Sequence, residues 1–514
     1  MKDEQRRRTR AAALAAGLGL LAPALALAQE PPAPTTLVCA SQAGERVVCP
    51  ADTSAGVALV KSTGSAACLL GKTWGYDDAG VWVTDGCGGE FLLGQGAQAG
   101  AAATAPTPPS PKAVPEPTEY WGEFSPGKGF LIGRSDFGEM KISGYALGRY
   151  MNQMPAEQTF TDHLGREHPV DTRNDIFSHR VLVFLNGWLG LPKLKYAIIF
   201  WTVNTTDQNS IFGNLGYQFS PKFGLYTGIN GNPGTRSLNG SHPYWLGNDR
   251  VMADEFFRPF FSFGVWAQGE PLPGFWYNAM VGNNSSTLGA TSAQLDRHMT
   301  TAATVWWMPT THEFGPRGGY GDWAWHEKVA TRFGTSFTNS RELRQSSVPD
   351  NAANTSIKLA DSLNVFDTGS LVPGVTVKQV NYRLLAVDAG LKYKGFFLQA
   401  EVYTRWLDGF VADGPLPVDE IVDKGFYVQA AFYPIPKKLE LYAATSQIYG
   451  DEDAGFSNSS EYLTGLNFYP ANSRDYRLNV QVADVHNSPV NSSFGYYIGG
   501  HDGTVLAMAF SVFF

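Results

Sequence analysis

Large apolar residues recur at every second position along many short segments of this 514-residue chain. In the last segment, TVLAMAFSVFF (504–514), Leu506, Met508 and Phe510 share one face, and smaller residues mostly occupy the other. Alternation with a period of two predicts β-strands. Applied after residue 121, the same rule predicts sixteen strands, at 140–151, 179–189, 195–203, 211–219, 223–230, 257–269, 275–283, 299–308, 329–339, 376–393, 396–406, 425–433, 439–447, 461–469, 476–484 and 504–514.

The predicted strands divide into an apolar and a polar face. In FFLQAEVYTRW (396–406), Phe396 and Leu398 alternate with Gln399 and Glu401. A soluble barrel would turn the apolar face inward, whereas a membrane barrel turns it to lipid and keeps a polar interior. Because barrel diameter grows with strand number, a soluble barrel of sixteen strands is hard to fill with side chains. The pattern therefore favours a transmembrane antiparallel β-barrel.

The connections between these strands alternate in length. Tight turns such as 220–222 and 394–395 alternate with long polar loops such as 231–256 and 340–375. Short turns at one rim and long loops at the other are typical of outer-membrane barrels. Residues 309–328 break the alternation, because they are long where a short turn is due. Either an extension of the turn side lies there, or the count has missed two strands.

The N-terminal part predicts export and a separate small domain. Residues 1–28 combine a basic start, an apolar run and a small-x-small cleavage site, as in a secretory signal peptide. Beyond them no run approaches the about 18 consecutive apolar residues of a spanning helix. Residues 29–95 contain all four cysteines, Cys39, Cys49, Cys68 and Cys87. In an exported segment an even cysteine number favours two disulfides over a zinc site, and three pairings are compatible with the spacing.

Residues 96–120, rich in proline and alanine, predict an extended linker between the small domain and a barrel domain of residues 121–514. The predicted fold class is therefore all-β: a transmembrane antiparallel barrel of about 16 strands after a small disulfide-stapled domain.

Composition excludes several classes of function. Charged residues make up 17% of the chain, aromatic residues 13%, and the formal net charge is −8, which argues against nucleic acid as a partner. The motifs H-E-x-x-H, G-x-S-x-G and G-x-x-x-x-G-K-[ST] do not occur. We therefore expect neither enzymatic activity nor a cofactor or metal.

Two resemblances sharpen these expectations. The runs SHRVLVFLNGWLGLPKLKYAIIFWTVNTTDQN (178–209) and DAGLKYKGFFLQAEVYTRWLDGF (388–410) resemble the phosphate-selective porin superfamily of the O/P type. That resemblance implies a sixteen-stranded outer-membrane channel, commonly a homotrimer, in which Phe514 is similar to the signal read by the barrel-assembly machinery. The segment TWGYDDAGVWVTDGC (73–87) resembles a small exported family of unknown function, sometimes described as lectin-like. Its aromatic residues are expected to form either a sugar-stacking platform or a domain core.

Polar residues inside predicted strands are the candidates for lining a pore. They are Arg149, Arg180, Arg332, Arg383, Gln399, Glu401, Arg405, Arg477, Asn479 and Gln481. The long loop 340–375 is the candidate for narrowing the pore, through Arg341, Glu342, Arg344, Lys358 and Asp361. Rings of charged side chains select ions by charge, but residues of both signs are present.

Two functions fit these observations. The first is a passive outer-membrane channel for small hydrophilic solutes or ions, including anions such as phosphate. In the second, the barrel is mainly an anchor in outer-membrane lipid, and residues 37–95 bind peptidoglycan or another glycan. In both, a Gram-negative outer membrane holds the barrel and the small domain lies in the periplasm, because an even strand number puts both barrel termini on one side.

Overall fold

The computed structural model describes residues 35–54, 56–93, 127–203, 208–239, 244–286, 295, 297–315, 319–344, 357–491 and 496–514. The predicted signal peptide and linker lie outside these residues. The chain divides into two compact units, one before residue 111 and one from there to the C-terminus. The described residues contain no helix long and apolar enough to cross a membrane.

The first unit is a small all-β domain. Its strands are β1 (Thr35–Ala40), β2 (Arg46–Cys49), β3 (Val57–Ser62), β4 (Trp74–Asp77), β5 (Gly80–Thr84) and β6 (Gly88–Leu93). They form two three-stranded sheets, β1-β6-β3 and β2-β5-β4. Disulfides join Cys39 to Cys49 and Cys68 to Cys87, which selects one of the three pairings compatible with the sequence. A core this small gains stability from such cross-links because they restrict the unfolded chain.

The second unit consists mainly of long strands. They are β7 (Phe130–Arg134), β8 (Gly138–Met154), β9 (Thr159–Thr161), β10 (Glu167–Pro169), β11 (Asn174–Leu189), β12 (Leu191–Val203), β13 (Gln208–Ser220), β14 (Phe223–Gly231), β15 (Phe261–Leu272), β16 (Phe275–Gly282), β17 (Thr300–Trp307), β18 (Ala330–Leu343), β19 (Val377–Tyr393), β20 (Phe396–Ala412), β21 (Glu420–Ile435), β22 (Leu439–Tyr449), β23 (Ser459–Phe468), β24 (Tyr476–His486) and β25 (Gly503–Phe513). One short helix, α1 (Met252–Phe257), lies between β14 and β15.

Sixteen antiparallel strands, β8 and β11 to β25, close into a barrel. Each corresponds to one of the sixteen predicted strands. Strands β17 and β18 pair directly with each other, so the connection 309–328 is an extension of the turn side, and its described residues contain no strand. The short strand β7 and the hairpin β9–β10 are additional to the prediction.

Side chains alternate between buried inward and exposed outward positions around the wall. In β24, Arg477, Asn479 and Gln481 are buried, whereas Leu478 and Val482 are 43% and 42% exposed. The apolar face therefore points outward, as a membrane barrel requires. We call the end with the short connections and both barrel termini the turn rim, and the opposite end the loop rim.

The bare C-terminal strand closes the barrel. Strand β25 pairs with β24 on one edge and with β8 on the other. Phe514 and Gly144 exchange backbone hydrogen bonds, each of 2.9 Å. Nearer the turn rim, β7 pairs with the same edge of β8. The ring centres of Phe130 and Phe514 lie 5.7 Å apart. The last residue thus completes the seam where an unpaired edge would otherwise face lipid.

Candidate pore

A row of arginines crosses four adjacent strands on the inner wall. Arg477 is paired with Ser511, Ser511 with Leu147, and Leu147 with Arg180, so the two arginines share one level of the barrel. Arg149 lies one inward position nearer the loop rim on β8. All three guanidinium groups are buried. We call Arg149, Arg180 and Arg477 the arginine row.

Aromatic rings and a backbone carbonyl hold these guanidinium groups in place. Arg180 lies 5.3 Å from the Trp245 ring centre, and Arg149 lies 5.4 Å from that of Tyr496. Arg477 donates a 2.5 Å hydrogen bond to the Trp245 carbonyl oxygen. Cation–π contacts of this kind strengthen where water is excluded. Trp245, which contacts both Arg180 and Arg477, lies in the connection between β14 and β15.

That connection, residues 232–260, folds back into the barrel; we call it the lumen segment. Its described residues, 232–239 and 244–260, are nearly all buried. Its backbone N–H groups donate hydrogen bonds to inward carboxylate and amide side chains on distant strands. The Arg236 N–H donates to Glu401 Oε1 at 2.8 Å, and the Met252 N–H donates to Glu461 Oε2 at 2.9 Å.

The start of α1 explains part of this attachment. The first N–H groups of a helix have no partner within the helix. Here Glu461 accepts from Met252, and Ser446 Oγ accepts from the Ala253 N–H at 2.7 Å. Asp254, in the same helix, has its pKa raised by burial, although Arg250 and Ser237 favour its charged form. The helix is thus fixed by groups on β22 and β23.

The polar wall opposite the arginine row carries charges of both signs, already paired. Arg332 forms an ion pair with Asp388, and Arg405 donates to Asp423 Oδ2 at 2.6 Å. The Arg405 guanidinium also lies 4.1 Å from the Phe256 ring centre in the lumen segment. Because buried charges are stable only when compensated, each of these two guanidinium groups is matched by a carboxylate on a neighbouring strand.

Amide side chains and a carboxylate complete the inward set. Gln399 donates to Asp388 at 3.2 Å, Asn479 donates to Asn467 Oδ1 at 2.7 Å, and Gln481 accepts from the Asn248 N–H at 3.1 Å. Tyr403 Oη donates to Glu401 at 2.8 Å. Nine of the ten pore-lining candidates therefore face the lumen.

The tenth candidate, Arg383, is a correction. It lies on the outward face of β19 with a side chain 42% exposed, and it forms ion pairs with Asp408 and Glu420. Alternation in β19 is uninterrupted from Asn381 onward, and Arg383 shares its outward face with Leu385, whereas Tyr382 and Leu384 are buried on the inward face. Residue type alone therefore did not identify its face.

The candidates on loop 340–375 are dispersed. Glu342 points inward and accepts from the Ser285 N–H at 2.7 Å, whereas Arg341 lies outward and contacts Gln379. Arg344 Nε donates to the Phe366 carbonyl at 3.0 Å. Asp361 accepts from His163 Nδ1 at 2.6 Å.

The described end of this loop is buried at the loop rim. Lys358 forms an isolated antiparallel bridge with Asn364, and beside it Leu359, Val365 and Phe366 are buried. The described end of the loop thus packs through apolar residues, and the five charged candidates do not form one cluster.

The extension between β17 and β18 enters the lumen from the turn rim; we call residues 308–329 the turn-rim insert. Lys392 Nζ, buried on β19, donates to the carbonyls of Phe314 and Gly319 at 2.6 and 2.7 Å. Tyr320 Oη lies 3.3 Å from Tyr427 Oη, and the Tyr320 N–H donates to the Tyr244 carbonyl at 3.3 Å. The insert therefore meets the lumen segment inside the barrel.

A histidine fixes the base of the insert. His326 Nδ1 contacts Asp322, and its Nε2 lies 2.8 Å from Glu313 Oε1. Burial alone would lower the pKa of His326, but hydrogen bonds to the two carboxylates outweigh burial and raise it to about 9. His326 is therefore charged at neutral pH and links Asp322 and Glu313 through its two ring nitrogens.

Segments of the chain occupy much of the described lumen. Away from the turn rim, inward charged residues of the wall such as Arg332, Glu401 and Arg405 have less than a tenth of their surface exposed. A cavity of about 10 Å³ lies near the turn rim beside Tyr145, Trp245, Tyr320 and Arg477. A single water molecule needs about this volume. The described residues of the lumen segment and the turn-rim insert thus fill this part of the barrel with polar contacts.

In the small domain, the three aromatic residues of the segment 73–87 that could form a sugar-stacking platform, Trp74, Tyr76 and Trp82, do not share one face of the sheet. Trp74 is buried, with its ring 5.0 Å from Phe91. Trp82 is paired with Gly75 on the opposite face of the sheet, and the Arg46 guanidinium lies 4.5 Å from its ring centre. Trp74 therefore belongs to the core, Tyr76 packs partly against it, and Trp82 is partly accessible on the opposite face.

Both units of the chain show similarity to known proteins. Residues 36–107 match the family described as "Protein of unknown function (DUF3011)". No curated protein matches the chain in sequence. The barrel is similar to OmpT of Vibrio cholerae, at 12% identity over 74% of this chain and 100% of that one, with a TM-score of 0.46.

Two further solved structures are similar over comparable lengths. An anion-selective porin from Comamonas acidovorans is 10% identical over 73% of this chain and all of that one, with a TM-score of 0.43. The channel DcaP of Acinetobacter baumannii is 9% identical over 75% and 100%, with a TM-score of 0.40. Likeness at this level carries no argument about solute or mechanism. The closed wall with an apolar exterior makes the second unit a porin-like transmembrane β-barrel.

Proposed function

We propose that this protein is a porin-like outer-membrane channel for small hydrophilic solutes, with a preference for anions such as phosphate. The observation that carries the proposal is the inner wall, where charged and amide side chains replace the apolar residues of the outer face. A barrel built only as a membrane plug could fill its interior with apolar residues.

The arginine row is the proposed path for anions. Its guanidinium groups lie on neighbouring strands, and Arg250 of the lumen segment lies 4.4 Å from the same Trp245 ring that Arg180 contacts. Guanidinium groups bind phosphate and carboxylate oxygens in two-point geometry. On the polar wall, by contrast, Arg332 and Arg405 are already held by carboxylates.

The proposed topology follows from the two rims. The turn rim faces the periplasm, as in outer-membrane barrels, so residues 29–95 lie on that side, tethered by the linker 96–120. Phe514 serves as the contact for the barrel-assembly machinery. The protein is proposed to form a homotrimer in outer-membrane lipid.

Planar-bilayer recordings test the channel directly. We expect stepwise conductance from the refolded protein, a reversal potential of anion-selective sign in a salt gradient, and partial block by phosphate. A folded but electrically silent barrel would remove the channel from consideration. A cation-selective sign would remove the role proposed for the arginine row.

A second candidate function is suggested by how tightly the lumen is packed. In that case the barrel is an anchor, and the small domain binds peptidoglycan or another glycan through the accessible Trp82 and its surroundings. Deleting residues 29–119 separates the two functions. A channel keeps its conductance after the deletion, whereas an anchor loses its binding to purified peptidoglycan.

A further inference from the structure

One residue of the lumen segment, Trp245, presents two different groups to the arginine row. The Arg180 guanidinium lies over its indole ring, 5.3 Å from the ring centre, and its backbone carbonyl oxygen accepts a 2.5 Å hydrogen bond from Arg477. A guanidinium group attracts the face of an aromatic ring and donates hydrogen bonds to oxygen atoms in its own plane. Trp245 thus satisfies both kinds of contact at once.

The lumen segment also brings a negative charge to the row. Asp249 is in electrostatic contact with Arg149 and is 8% exposed, so solvent screens this attraction little. The row therefore receives a ring, an oxygen acceptor and a carboxylate from one short stretch of chain, residues 245–249. On the polar wall, by contrast, carboxylates of the strands themselves compensate Arg332 and Arg405.

We propose that Trp245 occupies the binding position of the solute, and that this solute is an aromatic carboxylate. The inference rests on the proposed function, because it names the class of anion that binds the arginine row. In a tryptophan residue two carbon atoms, Cβ and Cα, separate the ring from the carbonyl carbon. A 3-arylpropanoate has the same spacing, so its ring can lie against Arg180 while its carboxylate accepts from Arg477. That carboxylate also carries the negative charge that Asp249 supplies.

The surroundings of Trp245 favour a flat aromatic molecule over an inorganic anion. The small cavity beside it is lined by Tyr145, Tyr244 and Phe513. The Phe513 ring meets the rings of Tyr145 and Tyr244 edge to face, with ring centres 6.3 and 5.9 Å apart. Aromatic rings gain from such tilted contacts beyond the area that they bury. A phosphate ion would use the guanidinium groups alone, whereas an aromatic acid also uses these rings.

Calorimetric titration of the detergent-solubilised protein with two matched acids tests the role of the ring. The acids 3-phenylpropanoate and 3-cyclohexylpropanoate have the same charge and nearly the same size, but only the first has an aromatic face. We expect the phenyl acid to bind about tenfold more tightly, as a ring-to-guanidinium contact in a dry site allows. Equal affinities, tighter binding of the more hydrophobic cyclohexyl acid, or binding of neither would overturn the inference.

Three variants locate the binding position. Trp245→Ala removes the competing ring and should bind 3-phenylpropanoate more tightly than the unchanged protein, since apparent affinity rises with the fraction of vacant sites. Arg180→Gln should abolish the preference for the phenyl acid, whereas Arg383→Gln on the outer face should retain it. If W245A does not fold, R180Q and R383Q still decide the question. A preference that survives in R180Q would refute the assigned position.

Conductance of the same samples separates this inference from the proposed function. Selective binding of the phenyl acid by an electrically silent barrel would support the site and remove the channel. A conducting barrel that does not distinguish the two acids would refute the aromatic solute and leave the channel in place.

Discussion

The turn-rim insert gives the sharpest prediction, because one buried side chain, Lys392, donates hydrogen bonds to two of its backbone carbonyls. Lys392 donates to two insert carbonyls, those of Phe314 and Gly319, and its ammonium lies 4.5 Å from the Phe314 ring centre. Replacing Lys392 with methionine keeps most of the side-chain volume but removes both donors. The insert should then leave the lumen more often, and the channel should be open for a larger fraction of the time.

The size of the effect follows from the two carbonyls. Each buried acceptor left without a donor costs about 1–3 kcal/mol, so the docked state loses about 2–6 kcal/mol. Methionine also removes the cost of burying an ammonium group. The lower end, about 2 kcal/mol, therefore applies, and it corresponds to roughly a 30-fold change in the docking equilibrium.

Single-channel recording measures this change, and the next lysine in the turn is a matched control. The Lys394 side chain is 51% exposed and lies 3.9 Å from Glu327. Lys394→Met removes the same charge from the same rim without touching the two carbonyls. We expect a higher open fraction for K392M alone. Equal open fractions in K392M and K394M would refute the idea that the insert obstructs the pore.

Three further predictions concern buried charges. Asp423→Asn leaves the Arg405 guanidinium without its carboxylate and should lower the free energy of unfolding by about 3–5 kcal/mol, measured by denaturant titration, whereas replacing both partners with Met and Leu should cost much less. His326, with a pKa raised to about 9 from 6.5, stabilises the docked insert fully below pH 6.5 and loses that contribution as pH rises through about 9. Conductance should therefore rise in alkaline buffer, and a pH-independent conductance would contradict this. Arg477→Gln should shift the reversal potential toward cations, whereas Arg383→Gln on the outer face should leave it unchanged.

The wall was predictable from sequence because its signal is local. Each strand needs only its own alternation to show two faces, and the turn–loop alternation shows how the strands connect. The inward positions of Gln399, Glu401 and Arg405 follow from that period once Phe396 and Leu398 are placed outside. Arg383 was misplaced because β19 is apolar on both faces around it: Tyr382 and Leu384 point inward, and Arg383 lies on the outward face with Leu385.

The contents of the lumen were not predictable in the same way. The lumen segment has no period, and it docks through Arg236 and Met252 to Glu401 and Glu461, which are separated from them by 165 and 209 positions. Such contacts depend on the closed barrel and leave no local pattern. The irregular length of 309–328 was the one visible sign that a second segment enters from the turn rim.

The inner wall beside the lumen segment explains why the interior of this barrel can accommodate a long connection between strands. Leu182, Phe184, Ile199 and Trp201 on β11 and β12 point inward and pack in one apolar cluster with Leu238 of the lumen segment. These strands are apolar on both faces, as expected for a wall covered on both sides. A water-filled pore against Leu182, Phe184, Ile199 and Trp201 would expose the cluster, so the proposed solute path runs between the arginine row and the polar wall opposite it. The K392M recording and the arginine substitutions therefore probe different parts of one path: whether it opens at the turn rim, and which ions the charges along it favour.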